Sequence, residues 1–179
     1  MKPTLIALAA ATIVATPAFA ALKAGDKAPD FTAPGFQAGK ALTFSLAEAR
    51  KKGPVVLYFF PAADTAGCNL EAKMFADAMP QFAANGATVI GVTAGKLDKL
   101  QQISADADKC SGKFPVAADP GAKIARQYDA VLAARPDWSD RTSYVISPKG
   151  DVLHTYSKLD PSEHVAQTLG AVKAFKTKR

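Results

Sequence analysis

Hydrophobic and polar positions along this chain fall into blocks whose period changes between strand-like and helix-like. Residues 54–60 (PVVLYFF) are apolar, β-branched or aromatic without interruption, and Gly53-Pro54 and Pro61 bound them, as for a strand buried on both faces. A polar turn over 61–67 leads into a helical stripe of Leu70, Met74, Phe75, Ala78 and Phe82, with Pro80 expected to bend the last turn and Asn85-Gly86 to end it. Residues 87–93 (ATVIGVT) read as a second strand, and Leu97, Leu100, Ile103 and Ala107 as a second helix running to about Lys109. Residues 114–118 suggest a third strand, and Asp119-Pro120-Gly121 opens a short helix to Tyr128.

Two further strands, 142–147 and 151–156, are joined by Pro148-Lys149-Gly150, a turn short enough to pair them antiparallel. A last helix has Asp160 as N-cap, Pro161 at the first helical position and Glu163 three residues after the cap. Residues 46–50 suggest a short helix. Residues 22–40 read as an extended N-terminal segment with turns at Ala28-Pro29-Asp30 and Ala33-Pro34-Gly35, and 135–140, with Trp138, as a loop. This alternation predicts an α/β domain, a mixed central sheet flanked by helices.

The first twenty residues stand apart from that pattern. Lys2 is a positive start, 5–15 is an apolar run broken only by Thr12, and Ala18-Phe19-Ala20 places small residues where a signal peptidase reads. Cleavage after Ala20 is expected, leaving residues 21–179 as a domain delivered to the periplasm. The run is too short to span a bilayer comfortably and no other stretch competes, so no stable membrane insertion is expected. The formal charge of +6 is scattered, with clusters only at Arg50-Lys51-Lys52 and Lys176-Thr177-Lys178-Arg179, which excludes nucleic acid as a partner.

An exported chain with two cysteines, Cys68 and Cys110, permits a structural disulfide. Their surroundings point elsewhere. Cys68 falls in the first turn of the helix after the buried strand, where unsatisfied N–H groups and the positive end of the helix dipole favour thiolate over thiol. Thr65 is placed to aim a hydroxyl at the sulfur, and Pro61 to shield it without offering an N–H. No CxxC is present, which argues against a disulfide exchanger. His154 and His164 do not make a metal pattern with these cysteines.

Pro61, Thr65 and Cys68 at this spacing closely resemble the signature of the peroxiredoxins. The resemblance covers nearly all of residues 21–179: Gly25-Asp26-Lys27-Ala28-Pro29-Asp30-Phe31 is similar to the family's N-terminal GxxAPDF segment, PVVLYFFP to its strand before the catalytic loop, and residues 141–150 to its Arg-led strand and turn. It implies a thioredoxin fold with an N-terminal extension and a cofactor-free, metal-free thiol peroxidase. Cys68 would then attack hydrogen peroxide or an organic hydroperoxide, with Thr65 and Arg141 activating it, Pro61 sheltering it and Glu71 as the supporting acid. An external dithiol, a thioredoxin-like protein, would return the electrons, and monomer and homodimer are both compatible.

The nearest branch is the Q-type, or bacterioferritin comigratory protein, group. Ala66 stands where Pro is common there, Asn69 where Thr is common, and Lys73 where many members carry a resolving cysteine. By resemblance Cys110, placed at the end of the second long helix, is then the candidate resolving residue. That role requires the first helical turn around Cys68 to unwind. The rival expectation is a catalytically weak binding or chaperone module with a static Cys68–Cys110 disulfide.

Overall fold

The structure is a computed structural model that describes residues 21–177 of the 179. The leader and its cleavage site therefore lie outside the described residues. The strands are β1 Thr32–Gln37, β2 Lys40–Ser45, β3 Val55–Phe59, β4 Thr88–Thr93, β5 Val116–Ala118, β6 Val131–Leu132, β7 Arg135–Ser139, β8 Thr142–Ile146 and β9 Val152–Ser157. The helices are α1 Leu46–Arg50, α2 Ala66–Ala84, α3 Leu100–Ala105, preceded by a 3-10 turn at Leu97–Lys99, α4 Lys123–Gln127 and α5 His164–Thr177. Seven strands form one mixed sheet in the order β2-β1-β5-β4-β3-β8-β9, with β3, β4 and β5 parallel and the other pairings antiparallel.

The two-sided burial of β3 organises the domain. Val55, Leu57 and Phe59 enter one core with Leu46 and Ala49 of α1 and Ala125 of α4, while Val56, Tyr58 and the following Phe60 enter the opposite core with α2, α3 and α5. Each large side chain removed from water contributes roughly 1.5–3 kcal/mol, so two opposed rows hold the strand in one register. The result is the thioredoxin fold with an N-terminal extension. That extension runs beside the edge strand β9: Gly25 donates its backbone N–H to Val152 at 2.9 Å and Val152 donates to Asp26 at 2.8 Å.

Several elements depart from the sequence expectation. Residues 33–35 are not a turn. They lie inside β1, which pairs with β2 through a tight turn at Ala38-Gly39, because alternate burial of Ala33 outweighs the local turn preference of Pro34-Gly35. Leu70 is exposed at 54% rather than on the buried stripe, since Cys68, Glu71, Ala72, Phe75, Ala78 and Phe82 form the inward face of α2. Pro80 sits within α2 without ending it; the carbonyl of Ala76, which its missing N–H leaves free, accepts from Lys113 Nζ at 3.0 Å.

The second helix stops at Ala105, and Cys110 lies beyond it in the turns of 106–113, where Asp106 and Ser111 take over the backbone bonding. Residues 135–139 form β7 of a small hairpin with β6 instead of a loop. The last helix begins at His164, because Asp160 accepts from Ser162 N–H at 2.9 Å and caps a separate turn before it.

Candidate active site

Residues 60–65 connect the carboxyl end of β3 to α2. Asp64 adopts a left-handed backbone, φ 59°, which breaks the strand direction. Thr65 is the N-cap with extended backbone, and its carbonyl accepts the first helical bond from Asn69 at 2.8 Å. Its hydroxyl makes no cap bond and donates to the Ala62 carbonyl at 3.2 Å, rather than to the Cys68 sulfur as the sequence led one to expect. Cys68 is the third residue of the helix and only 5% exposed, which puts it in the first turn, where backbone N–H groups lack helical partners and the dipole end is positive.

Arg141 arrives from the neighbouring strand. Phe59 pairs with Thr142 across β3 and β8, which places Arg141 opposite Phe60 at the start of the catalytic loop. Its buried guanidinium is held on three sides: Nη2 donates to Cys68 Sγ at 3.5 Å, Nη1 to Glu71 Oε2, and Nε to the Leu159 carbonyl at 2.7 Å. A Cβ on Gly67 would stand 3.3 Å from Nη2, so a small residue before Cys68 lets the guanidinium lie close against the helix start. A fixed cation beside sulfur compensates the negative charge that a nucleophilic thiolate carries.

Glu71 faces the other way as well. Its Oε1 has no hydrogen-bond partner and lies 3.6 Å from Nδ1 of His164, which is fully buried. His164 Nε2 is 2.9 Å from the Lys158 carbonyl, so it carries the ring proton, and Nδ1 accepts from the Ser143 hydroxyl at 2.8 Å. Burial pushes the Glu71 carboxyl up to about 8 against the opposing pull of Arg141. Burial likewise lowers His164, which favours the neutral ring.

These opposite shifts give a testable pH dependence of stability. Folded Glu71 holds a proton that the unfolded chain has lost, so its contribution is complete below about 4.5 and falls as pH rises toward about 8. His164 acts in the other direction: its contribution is present above 6.5 and is lost as pH falls below that value. Between 6.5 and 8 only the Glu71 decline remains among the pair. The melting midpoint is expected to drop across this window and to flatten in Glu71→Gln; an unchanged slope in the variant would place the titration elsewhere.

Residues 24–155 match the AhpC/TSA family. The chain belongs to that family, the peroxiredoxins. It is similar to the chloroplastic peroxiredoxin Q of Populus jackii, 30% identical with 96% of this chain and 78% of the relative covered. It is also similar to the chloroplastic peroxiredoxin Q of Arabidopsis thaliana, 34% identical over 87% of this chain and 69% of the relative. Among solved structures, peroxidoxin BcpB of Mycobacterium tuberculosis superposes with a TM-score of 0.74 at 28% identity, covering 86% of this chain and 97% of that one.

In this peroxiredoxin the fold brings Pro61, Thr65, Cys68, Glu71 and Arg141 to one end of the sheet. Cys110 is not exposed beside them. It is fully buried in the same hydrophobic core as Cys68, and burial pushes its thiol up to about 12. Tyr58 lies within electrostatic reach of both sulfurs: after burial, Cys110, Glu71 and Cys68 in that order raise its phenol. Both cysteines are free, and the match to peroxiredoxin relatives favours a peroxidase over a module held by a static bond.

Three participants were not singled out for this site from the sequence. His164, weighed there only as a metal ligand, instead faces Glu71. The Leu159 carbonyl, which no residue type announces, orients Arg141. Trp138 packs its ring against Gly95, where a Cβ would come within 3.1 Å of it, and Arg135 stacks over the ring at 3.7 Å. Gly95 also accepts from the backbone of Ala63, so the β6–β7 hairpin supports the catalytic loop from outside.

Proposed function

We propose that this peroxiredoxin is a thiol-dependent peroxidase in which Cys68 is the peroxidatic residue. The observation that carries it is the Arg141 guanidinium bound at once to Cys68 Sγ and Glu71, at the first turn of α2. The thiolate attacks one peroxide oxygen, the O–O bond breaks, and the departing hydroxide or alkoxide takes a proton from solvent, leaving Cys68 as a sulfenic acid. Arg141 stabilises the charge that moves to the leaving oxygen, the Thr65 hydroxyl joins it by swinging its hydrogen from the Ala62 carbonyl to the peroxide, and Pro61 keeps water from the sulfur. Peroxide consumption in the presence of a dithiol tests the assignment directly.

Cys110 then resolves the sulfenic acid. Its thiol displaces the sulfenic oxygen as water, giving a Cys68–Cys110 disulfide, and an external dithiol of the thioredoxin-like class reduces that bond. Because Cys110 is sealed in the core, it must be uncovered when the segment around Cys68 unwinds. In the reduced protein, small alkylating reagents are therefore expected to label Cys68 before Cys110. Peptide mapping after one equivalent of peroxide should then find the two joined within one chain; Cys68 recovered only as an unpaired oxidised residue would remove Cys110 from the cycle.

The leader pattern supports export of this enzyme to the periplasm with cleavage after Ala20. No helix among the described residues is long and apolar enough to cross a membrane. Fractionation of expressing cells with N-terminal sequencing tests this: a chain starting at Ala21 in the periplasmic fraction supports it, and an intact leader on a cytosolic protein contradicts it.

A further inference from the structure

The two cysteine-bearing segments are joined by an ion pair that the peroxide chemistry does not use. Lys109, the residue before Cys110, is gripped between its own turn and the catalytic loop: Nζ lies 3.1 Å from Asp106 Oδ2 and 3.0 Å from Asp64 Oδ1. Its side chain is only 14% exposed although its charge is satisfied at the surface, so the stem is packed and the head is aimed. Asp64 precedes Cys68 by four residues and holds the left-handed conformation near the end of the loop. Asn69 Nδ2 also reaches Asp64 Oδ1, at 3.5 Å, across the turn that must unwind.

We propose that Asp64 and Lys109 are positioning residues for the resolving step, a tether that keeps the Cys110 turn against the catalytic loop while the first turn of α2 opens. The inference rests on the reading of Cys110 as the resolving cysteine. Unwinding breaks the Asn69 contact but leaves Asp64, which lies before the helix, bound to Lys109. From that fixed point Cys68 is four residues away, a reach of about 14 Å when extended. Its sulfenic acid therefore searches a small volume around the residue adjacent to Cys110, and the disulfide forms at high effective concentration. Lys109 and Asn69 hold the Asp64 carboxyl below its ordinary range, and Asp64 holds the Lys109 ammonium above its own, so the pair stays charged through neutral pH.

The chemistry of the step is unchanged: Cys68–SOH and Cys110–SH give the disulfide and water. The tether alters only how often the sulfurs meet. Asp64→Asn preserves a residue type that tolerates positive φ, and Lys109→Met preserves the packed stem, so both variants remove the charge without disturbing the turn. Neither residue touches the peroxide.

The test is rapid-quench kinetics of the full chain with one equivalent of hydrogen peroxide. Dimedone trapping reports sulfenic acid, and alkylation with mass analysis reports the Cys68–Cys110 bond. Sulfenic acid formation is expected at the wild-type rate in both variants, with disulfide formation slowed about fivefold, the upper range for a partly exposed ion pair. Lys109→Arg should restore most of the rate, and added salt should slow the second step in the wild type but not in Asp64→Asn. Disulfide formation at the wild-type rate in both charge-removing variants overturns the tether. Absence of the Cys68–Cys110 bond in the wild type, with sulfenic acid still formed, overturns the resolving assignment and the tether with it.

Discussion

Peroxide consumption by the Cys68→Ser protein is expected to fall by at least about three orders of magnitude, to the background of the dithiol alone. Serine keeps the size and helix position of the residue, so Arg141, Glu71 and the first turn of α2 should stay in place. What it lacks is chemistry. A hydroxyl at this position remains protonated at neutral pH and cannot become a sulfenic acid, so neither half of the cycle can proceed. The measurement is dithiol-supported loss of hydrogen peroxide or an organic hydroperoxide, with a melting curve to show that the variant is folded. Turnover retained in the folded variant would falsify the catalytic assignment.

Arg141→Met should lower the same activity by roughly 10²- to 10³-fold, the scale for losing a preorganised donor at a developing charge. It should also destabilise the protein, by about 1–3 kcal/mol, because the buried Glu71 carboxyl, mostly protonated at neutral pH, and the Leu159 carbonyl lose the donors that Arg141 supplies. Activity and stability can be separated. In Arg141→Met/Glu71→Gln activity should stay low, while the melting midpoint should no longer fall as pH rises toward 8. Arg141→Lys should recover little activity, since one ammonium cannot serve Cys68, Glu71 and the Leu159 carbonyl in the directions that the planar guanidinium spans. Denaturant melts alongside kinetics decide it; full activity in either Met variant would show that the sulfur does not depend on this donor.

The Glu71–His164 pair adds a layer to that dependence. Arg141 is oriented by a carboxyl that burial keeps close to its protonation threshold, and the imidazole behind it is held neutral with Nε2 bound to Lys158 and Nδ1 to Ser143. The carboxyl's charge, and through it the grip on Arg141, thus varies as pH approaches about 8.

What could be read in the sequence was whatever depends on near neighbours in the chain. The unbroken run at 54–60 read as a strand covered on both faces, and the turn from Pro61 to Gly67 led to a helix start at Cys68, so the candidate nucleophile's place at the dipole followed from local order. Leu46–Arg50 was legible for the same reason, with Ser45 accepting from Glu48 as its cap. The pairing of 142–147 with 151–156 needed only a short turn.

Tertiary structure decided the rest, because it depends on which distant segments share a surface. Strand register set Arg141 opposite Phe60, and only the packing of α5 could bring His164 to Glu71. Local turn propensity at Pro34-Gly35 lost to cross-strand pairing, and the expected helix through Lys109 gave way after Ala105 to turns that bury Cys110 and turn Lys109 toward Asp64. A sequence specifies reactivity where it lies within one helical turn of its cause. It leaves open the long-range contacts that orient a guanidinium or tether a second cysteine, since their energies come from groups that meet only when the chain has folded.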